Sequence, residues 1–346
     1  MDIDIIYVNY NSTANLIESI HSFSALKHTS CRLHATVVDN ASTDDPHRLP
    51  ALFPDIRFIF NRKNIGFGAA VNQAVNQTHS DYLVFLNPDS LVSDGFFEDC
   101  IEFLEKNPSI GIMGPMILDE DGSLQGSARA FPTAMTTLFG RNSILTRLFP
   151  DNSISKANIL TWKNREDQPL EVDWVSGACM VARRSAIAAV GGFDARFFLY
   201  WEDTDLCRRM EAAGWKVVYY PKPRITHFGA RSSRTRPIFS SYQFHKSGFL
   251  LFTKYAGWPF SFLLPLAAVF LMLRFFSVIV ISWASKMISP RQTRKKTALR
   301  TYPHTHISSF VHNADRCAKN KTRILYVISR LNIGGPAVHV KTLIRH

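Results

Sequence analysis

Apolar residues along this chain gather in short runs of strand length, rich in β-branched and aromatic types: Ile3–Val8, Ala35–Val38, Arg57–Phe60, Tyr82–Leu86, Gly111–Ile117, Val175–Val181 and Val217–Tyr220. Between the early runs, Thr13–Leu26, Gly68–Gln77 and Gly95–Lys106 carry helical spacing. The alternation predicts an α/β fold built on a mostly parallel sheet flanked by helices. Residues 118–173 break the rhythm. A turn signal at Asp119-Glu120-Asp121-Gly122 and a polar, poorly periodic stretch from Asp151 to Glu171 read as a loop-rich substrate region.

From Tyr255 to Ser285 the pattern changes again. A run rich in Phe, Leu, Val and Ile holds a single charge, Arg274, with Trp258 and Trp283 near its ends. A single span would place Arg274 at mid-bilayer, at a cost of about 2.5–3.5 kcal/mol on insertion scales. It would also carry the basic tail across the membrane, against the positive-inside rule. Lys246 and Lys254 precede the run; Lys286, Arg291, Arg294, Lys295 and Lys296 follow it. Basic residues on both sides favour a segment that enters and returns, or lies in the interface. The expected organisation is a catalytic domain over 1–240, a membrane-associated helical segment over 241–288 and a basic linker over 289–321. The last part, 322–346, contains RILYVISRLNIGGPAVHV, a strand running into a Gly-Gly turn.

Composition adds little. At 346 residues with 46% hydrophobic content the chain can bury a full core. A formal charge of +12 suits an anionic partner, whether nucleic acid, a phosphate-bearing ligand or an acidic membrane, and does not choose among them. Cys31, Cys100, Cys179, Cys207 and Cys317 are odd in number and form no CxxC pair, which indicates neither a zinc site nor a disulfide framework and suits a reducing compartment. The start, MDIDIIYVNYN, has no basic n-region, so the catalytic part is expected to be cytoplasmic.

In parallel sheets ligands collect at the carboxyl ends of strands. Here the early strands run into Asn9-Tyr10-Asn11, Asp39-Asn40, Asn61 to Asn64, and Asn87-Pro88-Asp89, which points to one shared site. Asp39 on its own reads as turn chemistry. Asp89 could hold a divalent cation against a diphosphate, because hard cations prefer oxygen ligands. Gly66 and Gly68 sit at a helix start, where bare N–H groups can approach phosphate. Glu202, Asp203 and Asp205 crowd the start of another helix, with Asp203 as the expected N-cap and Gly214 as the stop. Acids there complement the helix dipole, yet the aromatic run Phe197 to Trp201 could also wall a sugar pocket and raise a neighbouring carboxylate's pKa.

Taken in order, VNYNS, VVDNASTD, NIGFGAAVN, FLNPDS, VSGACMVARRSA, GGFDARFFLYWEDTDLCRRM and ITHFGARSS closely resemble the family 2 glycosyltransferases of the GT-A fold, and most nearly their bacterial rhamnosyltransferase-like branch. The resemblance covers about Ile3 to Ser233. It implies that Tyr10 stacks on a nucleobase, that Asp39 hydrogen-bonds it, and that Asn11, Asn64, Gly66 and Asn87 line the nucleotide-sugar site. By the same resemblance Asp89 closes a DxD-type motif in which Asn87 replaces the first acid, and His227 is a further metal or diphosphate ligand. The implied cofactor is Mg2+ or Mn2+. Asp203 is then the general base, with Glu202 and Asp205 orienting the acceptor or tuning the base.

The implied activity is an inverting transfer of a sugar, rhamnose by branch resemblance, from a dTDP- or UDP-sugar to a hydroxyl of a lipid-linked glycan in cell-envelope polysaccharide synthesis. The implied setting is the cytoplasmic face of a bacterial inner membrane, with no nucleic-acid partner. The C-terminal end resembles the start of a GT-B glycosyltransferase, or else is an ordinary strand-turn-helix. A nucleotidyltransferase would need a Gly-rich, Lys/Arg-bearing loop where VNYNSTANL stands. A non-catalytic or degenerate sugar-nucleotide-binding membrane protein is the alternative that the missing first acid leaves open.

Overall fold

The computed structural model describes residues 1–26, 31–133, 158–163, 168–229, 237–255 and 264–288. The chain divides into two units, Met1–Lys286 and Met287–His346, and the sheets with their flanking helices belong to the first. The expected linker, the C-terminal strand-turn stretch, Cys317 and much of the loop-rich region lie outside the described residues.

The chain order is β1 (Asp2–Asn9), α1 (Thr13–Ser24), β2 (Arg32–Asp39), a 3-10 turn and short helix α2 (Leu49–Leu52), β3 (Arg57–Phe60), α3 (Phe67–Val75), β4 (Tyr82–Leu86), β5 (Ser90–Val92), α4 (Phe96–Lys106) and β6 (Ile110–Leu118). Next come β7 (Ala128–Arg129), β8 (Leu170–Glu171), β9 (Trp174–Val175), β10 (Cys179–Arg183), α5 (Arg184–Ala189), α6 (Glu202–Ala212), β11 (Lys216–His227), α7 (Pro237–Tyr255) and α8 (Leu264–Ile288).

The main sheet runs β3-β2-β1-β4-β10-β6-β11-β5, with β8 on β11. Strands β1 to β4 pair in parallel, as expected. The sheet as a whole is mixed rather than mostly parallel, because β10 lies antiparallel between β4 and β6, and β5 and β8 lie antiparallel to β11. The expected single strand Val175–Val181 is broken at Ser176-Gly177-Ala178. Its first part, β9, joins β7 in a second two-stranded sheet, and the rest inserts as β10.

Side-chain alternation along the strands divides the core into two layers. Ile3, Ile5 and Tyr7 of β1 and Val84 of β4 face α1 and α4 through Leu16, Ile20, Phe97 and Leu104. Ile6, Leu83 and Phe85 face α3 and α6 through Val71, Ala74, Leu206 and Met210. Each fully buried side chain of this size contributes about 1.5–3 kcal/mol. Residues Asn9 and Asp39 pair at the same level of β1 and β2, and Asp39 pairs with Phe60 of β3. The strands therefore release their polar ends along one edge.

Helix α7 packs across the face of the Phe197–Trp201 loop, and α8 packs on α7 through Phe275, whose ring lies 6.2 Å from Tyr242 and 5.7 Å from His245. Arg274 is turned inward, with its guanidinium carbon 5.8 Å from the Phe244 ring centroid. Leu266, Val269, Met272, Leu273, Phe276 and Val280 form an exposed apolar stripe on α8, beside exposed Ile238, Phe239 and Tyr242 of α7. Among the described residues, no helix is long and apolar enough to cross a membrane.

Candidate active site

The polar strand ends open into a cleft of about 390 Å3. Its lining brings together Tyr10, Asn64, Gly66, Asn87, Asp89 and His227, all expected from the sequence, with Ser12 and Asn40, to which the resemblance assigns no role. A larger cleft, about 560 Å3, opens at the opposite ends of the strands beside Asp4. There the Asp4 carboxylate is already taken by the backbone N–H groups of His79 and Ser80 and by Arg184, and no expected site residue lies near it.

Beneath the first cleft, Asp39 is buried and anchored: its Oδ2 accepts from Asn9 Nδ2 at 2.8 Å and its Oδ1 from the Ser42 N–H at 2.9 Å. Asn11 does not line the cleft. It is held at a φ of 53°, with its Oδ1 accepting from the Thr43 N–H at 2.7 Å, so it ties the β1 and β2 loops together. Asp44 reaches back to cap α1, accepting from the Thr13 N–H at 2.8 Å. Asn40 donates to the Gly66 carbonyl and accepts from Asn61, joining three strand-end loops.

Gly66 departs from its expected use. Its N–H is taken by Asn64 Oδ1 at 2.9 Å, and the next N–H, of Phe67, is taken by the Phe198 carbonyl at 2.9 Å. Gly66 stands at φ 92°, and a Cβ there would meet the Phe198 carbonyl oxygen at 2.7 Å. The glycine is required where the α3 start meets the Phe197–Trp201 loop, rather than to present these two N–H groups to a ligand.

On the far wall, Asp89 Oδ1 lies 3.2 Å from His227 Nε2, and Asn87 Nδ2 lies 3.4 Å from the same nitrogen. Gln125, which carries no sequence signal of its own, orients the ring. Its Nε2 donates to Asp119 at 2.7 Å and to the His227 carbonyl at 2.9 Å, which turns its Oε1 toward His227 Nδ1 at 3.1 Å. The Nδ1–H therefore donates to Gln125, and Nε2 is the nitrogen that faces Asp89. A carboxylate beside an imidazole whose remote nitrogen is fixed by an amide oxygen fits the donor set of a divalent cation shared with phosphate. Among the described residues no group of three or more such ligands converges, so the protein would supply two donors.

The acids at the start of α6 are not in the lining of this cleft. The helix begins at Glu202, with Trp201 as its N-cap residue, so Asp203 lies inside the first turn and is not the expected N-cap. Tyr200 and Trp201 both adopt left-handed φ, at 68° and 69°, a conformation costing roughly 1–2 kcal/mol for each non-glycine residue. Asp203 Oδ2 accepts from the Gly177 N–H at 2.9 Å and Oδ1 from the Thr204 N–H at 2.7 Å. Burial nevertheless raises its pKa, while these bonds and Arg129 of β7 oppose the rise. Glu202 is buried with Oε2 lacking a partner, and desolvation, with the Asp203 charge adding to it, pushes its pKa up to about 8. A value near 8 favours the protonated form of Glu202 at neutral pH.

Asp205 is a correction. Its carboxylate is fully buried and saturated, accepting from Arg209 Nε at 2.8 Å, Lys254 Nζ at 2.6 Å and the Tyr255 hydroxyl at 2.8 Å. It fastens the end of α7 to α6 and has no free face for an acceptor. Cys31, Cys100, Cys179 and Cys207 are all buried.

A mixed α/β sheet with a polar cleft over the ends of its parallel half, an Asp-His pair on one wall and a carboxylate pair at a nearby helix start defines a GT-A-like glycosyltransferase. The profile of glycosyl transferase family 2 matches residues 4–166. An N-acetylglucosaminyl-diphospho-decaprenol L-rhamnosyltransferase of Mycobacterium tuberculosis is 31% identical over 269 residues, covering 73% of this chain and 85% of the relative. Rhamnosyltransferase WbbL of Escherichia coli K12 is 29% identical over 172 residues, covering 48% of this chain and 60% of WbbL. A crystal structure of GalNAc-T7 with UDP, GalNAc and Mn2+ superposes with a TM-score of 0.49 at 13% identity, over 65% of this chain and 43% of that one. The chain belongs to glycosyl transferase family 2.

Proposed function

We propose that the protein moves a sugar, rhamnose first among candidates, from a dTDP- or UDP-linked donor to a hydroxyl of a lipid-linked glycan, with inversion at the anomeric carbon. The observation that carries the reading is the pairing of two sites across the Phe197–Trp201 loop: a strand-end cleft with Asp89 and His227, and a carboxylate pair at the α6 start. The decaprenol-linked substrate in the name of the Mycobacterium relative supports the acceptor class.

In this reading Tyr10 stacks on the base and Asp39, through remaining lone pairs on the two oxygens that already accept from Asn9 and Ser42, accepts from it. Asn64 and Asn87 line the diphosphate path. Asp89 and His227 would hold Mg2+ or Mn2+, which would supply charge for the departing diphosphate. Asp203 takes the acceptor proton as the oxygen attacks from the face opposite the nucleotide. Protonated Glu202 beside it keeps a second negative charge out of the site. A single displacement needs no covalent enzyme intermediate.

The apolar stripe of α8 and the exposed edge of α7 support attachment to one bilayer face, in keeping with a lipid-linked acceptor. Arg274 supports the same arrangement, since it is directed at Phe244 rather than outward. In this reading residues 241–288 form the membrane-associated segment through the outward faces of α7 and α8, while the inward face of α7 packs on the catalytic domain over 1–240. A bacterial inner membrane, cytoplasmic face, is the setting that fits a nucleotide-sugar donor.

The test is a donor screen with the purified chain in detergent and a polyprenyl-diphosphate glycan. Transfer from one nucleotide sugar above all others, abolished by chelator and restored by Mg2+ or Mn2+, is expected. Activity untouched by chelator would remove the metal assignment. Binding of donor without turnover of any would favour a degenerate copy.

A further inference from the structure

The two consecutive left-handed aromatics, Tyr200 and Trp201, lie immediately before the acids of α6, and both are in contact with α7. Tyr200 meets the Phe244 ring at 5.8 Å and Trp201 meets it at 5.1 Å. The Trp201 indole Nε1–H donates to the Phe244 carbonyl at 3.0 Å, which gives that helix carbonyl a partner outside α7. One turn on, Ser247 Oγ donates to the Leu199 carbonyl at 2.9 Å. Gly248 gives the indole its room, since a Cβ there would stand 3.2 Å from Trp201 Nε1. At the end of α7, Lys254 Nζ bridges Asp205 of α6 at 2.6 Å and Asp194, just ahead of the loop, at 2.7 Å. From the other side the Phe198 carbonyl accepts from the Phe67 N–H.

Left-handed backbone at successive bulky residues persists only where the surroundings over-determine it. Here the side-chain restraints on Leu199 to Trp201 come from α7, which is also the helix whose outer edge is apolar and exposed. We propose that α7 is the positioning element of the acid pair: Trp201, Ser247, Gly248 and Lys254 hold the Tyr200–Trp201 turn so that Asp203 meets the Gly177 N–H and faces the acceptor. These residues act through the turn and touch no substrate. The inference rests on the reading of Asp203 as base.

If the turn loosens, Asp203 separates from the Gly177 N–H. That bond favours the charged carboxylate, so its loss raises the Asp203 pKa and moves the acid limb of the turnover profile to higher pH. Gly248→Ala is the sharpest probe, because alanine favours an isolated helix while its methyl presses on the indole. Trp201→Phe removes the N–H and keeps a ring. Lys254→Met removes the bridge, and Lys254→Arg should restore it in part.

Full-length variants in detergent are assayed with whichever of the UDP- and dTDP-sugars the wild-type chain turns over fastest, alongside thermal melting. The expected result is a fall of about 10-fold in kcat for Gly248→Ala and Trp201→Phe, with donor KM nearly unchanged and the acid limb displaced to higher pH. Gly248→Ala should melt no lower than wild type. Unchanged kcat and pH profile in both variants overturns the proposal, as does a loss of kcat that only follows a lower melting temperature. Asp203→Asn run alongside separates the layers. Full turnover there removes the base assignment itself, whereas lost turnover there with unaffected Gly248→Ala and Trp201→Phe removes the positioning role alone.

Discussion

The two halves of the candidate site are built in different ways. On its nucleotide-base side the strand-end half is made of short loops closing on themselves. Asp39 accepts from Ser42 three residues on, Gly66 donates to Asn64 two residues back, and Asn9 and Asp39 are level neighbours in one register. The acid half is assembled over long range. Asp203 depends on Gly177, and Asp205 depends on Lys254 and Tyr255, about fifty residues away. Local turn chemistry places the Asp39 and Gly66 loops of the first half, while its Asp89–His227 wall waits on β11 and Gln125. The second exists only when α6, α7 and the β9–β10 turn are all in place. A site so divided can lose chemistry while keeping its nucleotide.

The largest effect should come from Asp203→Asn, which keeps the bulk of the side chain and removes the base. Turnover should fall about 100-fold or more while donor affinity holds, read by steady-state rates and calorimetry. Turnover near wild type would place the base elsewhere. On the other side, Asp89→Ala should weaken donor binding and abolish its dependence on added divalent cation, because the NPD stretch offers no second carboxylate. Gln125→Leu frees the His227 ring without touching either expected ligand. It should cost on the order of 10-fold in apparent metal affinity, measured by activity against Mg2+ concentration. An unaltered Mg2+ dependence would show that the ring orientation is irrelevant.

The legibility of the two halves follows the same division. Strand ends β1, β2 and β4 can be read because apolar runs stop at Asn and Asp, and the family resemblance then names Tyr10, Asp39 and Asp89. Asp205 reads as an acceptor-side acid because nothing near it in sequence announces Lys254 and Tyr255 as its partners. Asp203 reads as an N-cap because Asp favours that position. The structure instead places Trp201 there in a left-handed turn that no propensity scale would assign to tryptophan. The mixed sheet is hidden for a related reason. Val175–Val181 is apolar for most of its length, and only Gly177, engaged by Asp203, marks where it breaks. Gln125 carries no signal beyond lying after a turn, and its role emerges only once β11 brings His227 beside it.

A smaller effect concerns stability. Glu202 titrates up near 8 in the folded chain and near its ordinary 4.5 when unfolded. Between those values the unfolded chain gives up its proton first, so this residue's contribution is intact below the lower value and is lost as pH rises through the higher one. Glu202→Gln should therefore be more stable than wild type by roughly 2–4 kcal/mol at pH 8 and nearly equal to it at pH 4, by denaturant melts at both. Equal stability at both pH values would mean that Glu202 is solvated in the native state.

The most direct test of the divided site is a double-mutant cycle on donor affinity, by calorimetry on wild type, Asp89→Ala, Asp203→Asn and the double variant. The account predicts that the whole loss of affinity appears with Asp89→Ala, and that adding Asp203→Asn changes it by no more than about 0.5 kcal/mol in either background. A loss of donor affinity with Asp203→Asn alone, as large as that with Asp89→Ala, would contradict the separation of the two halves.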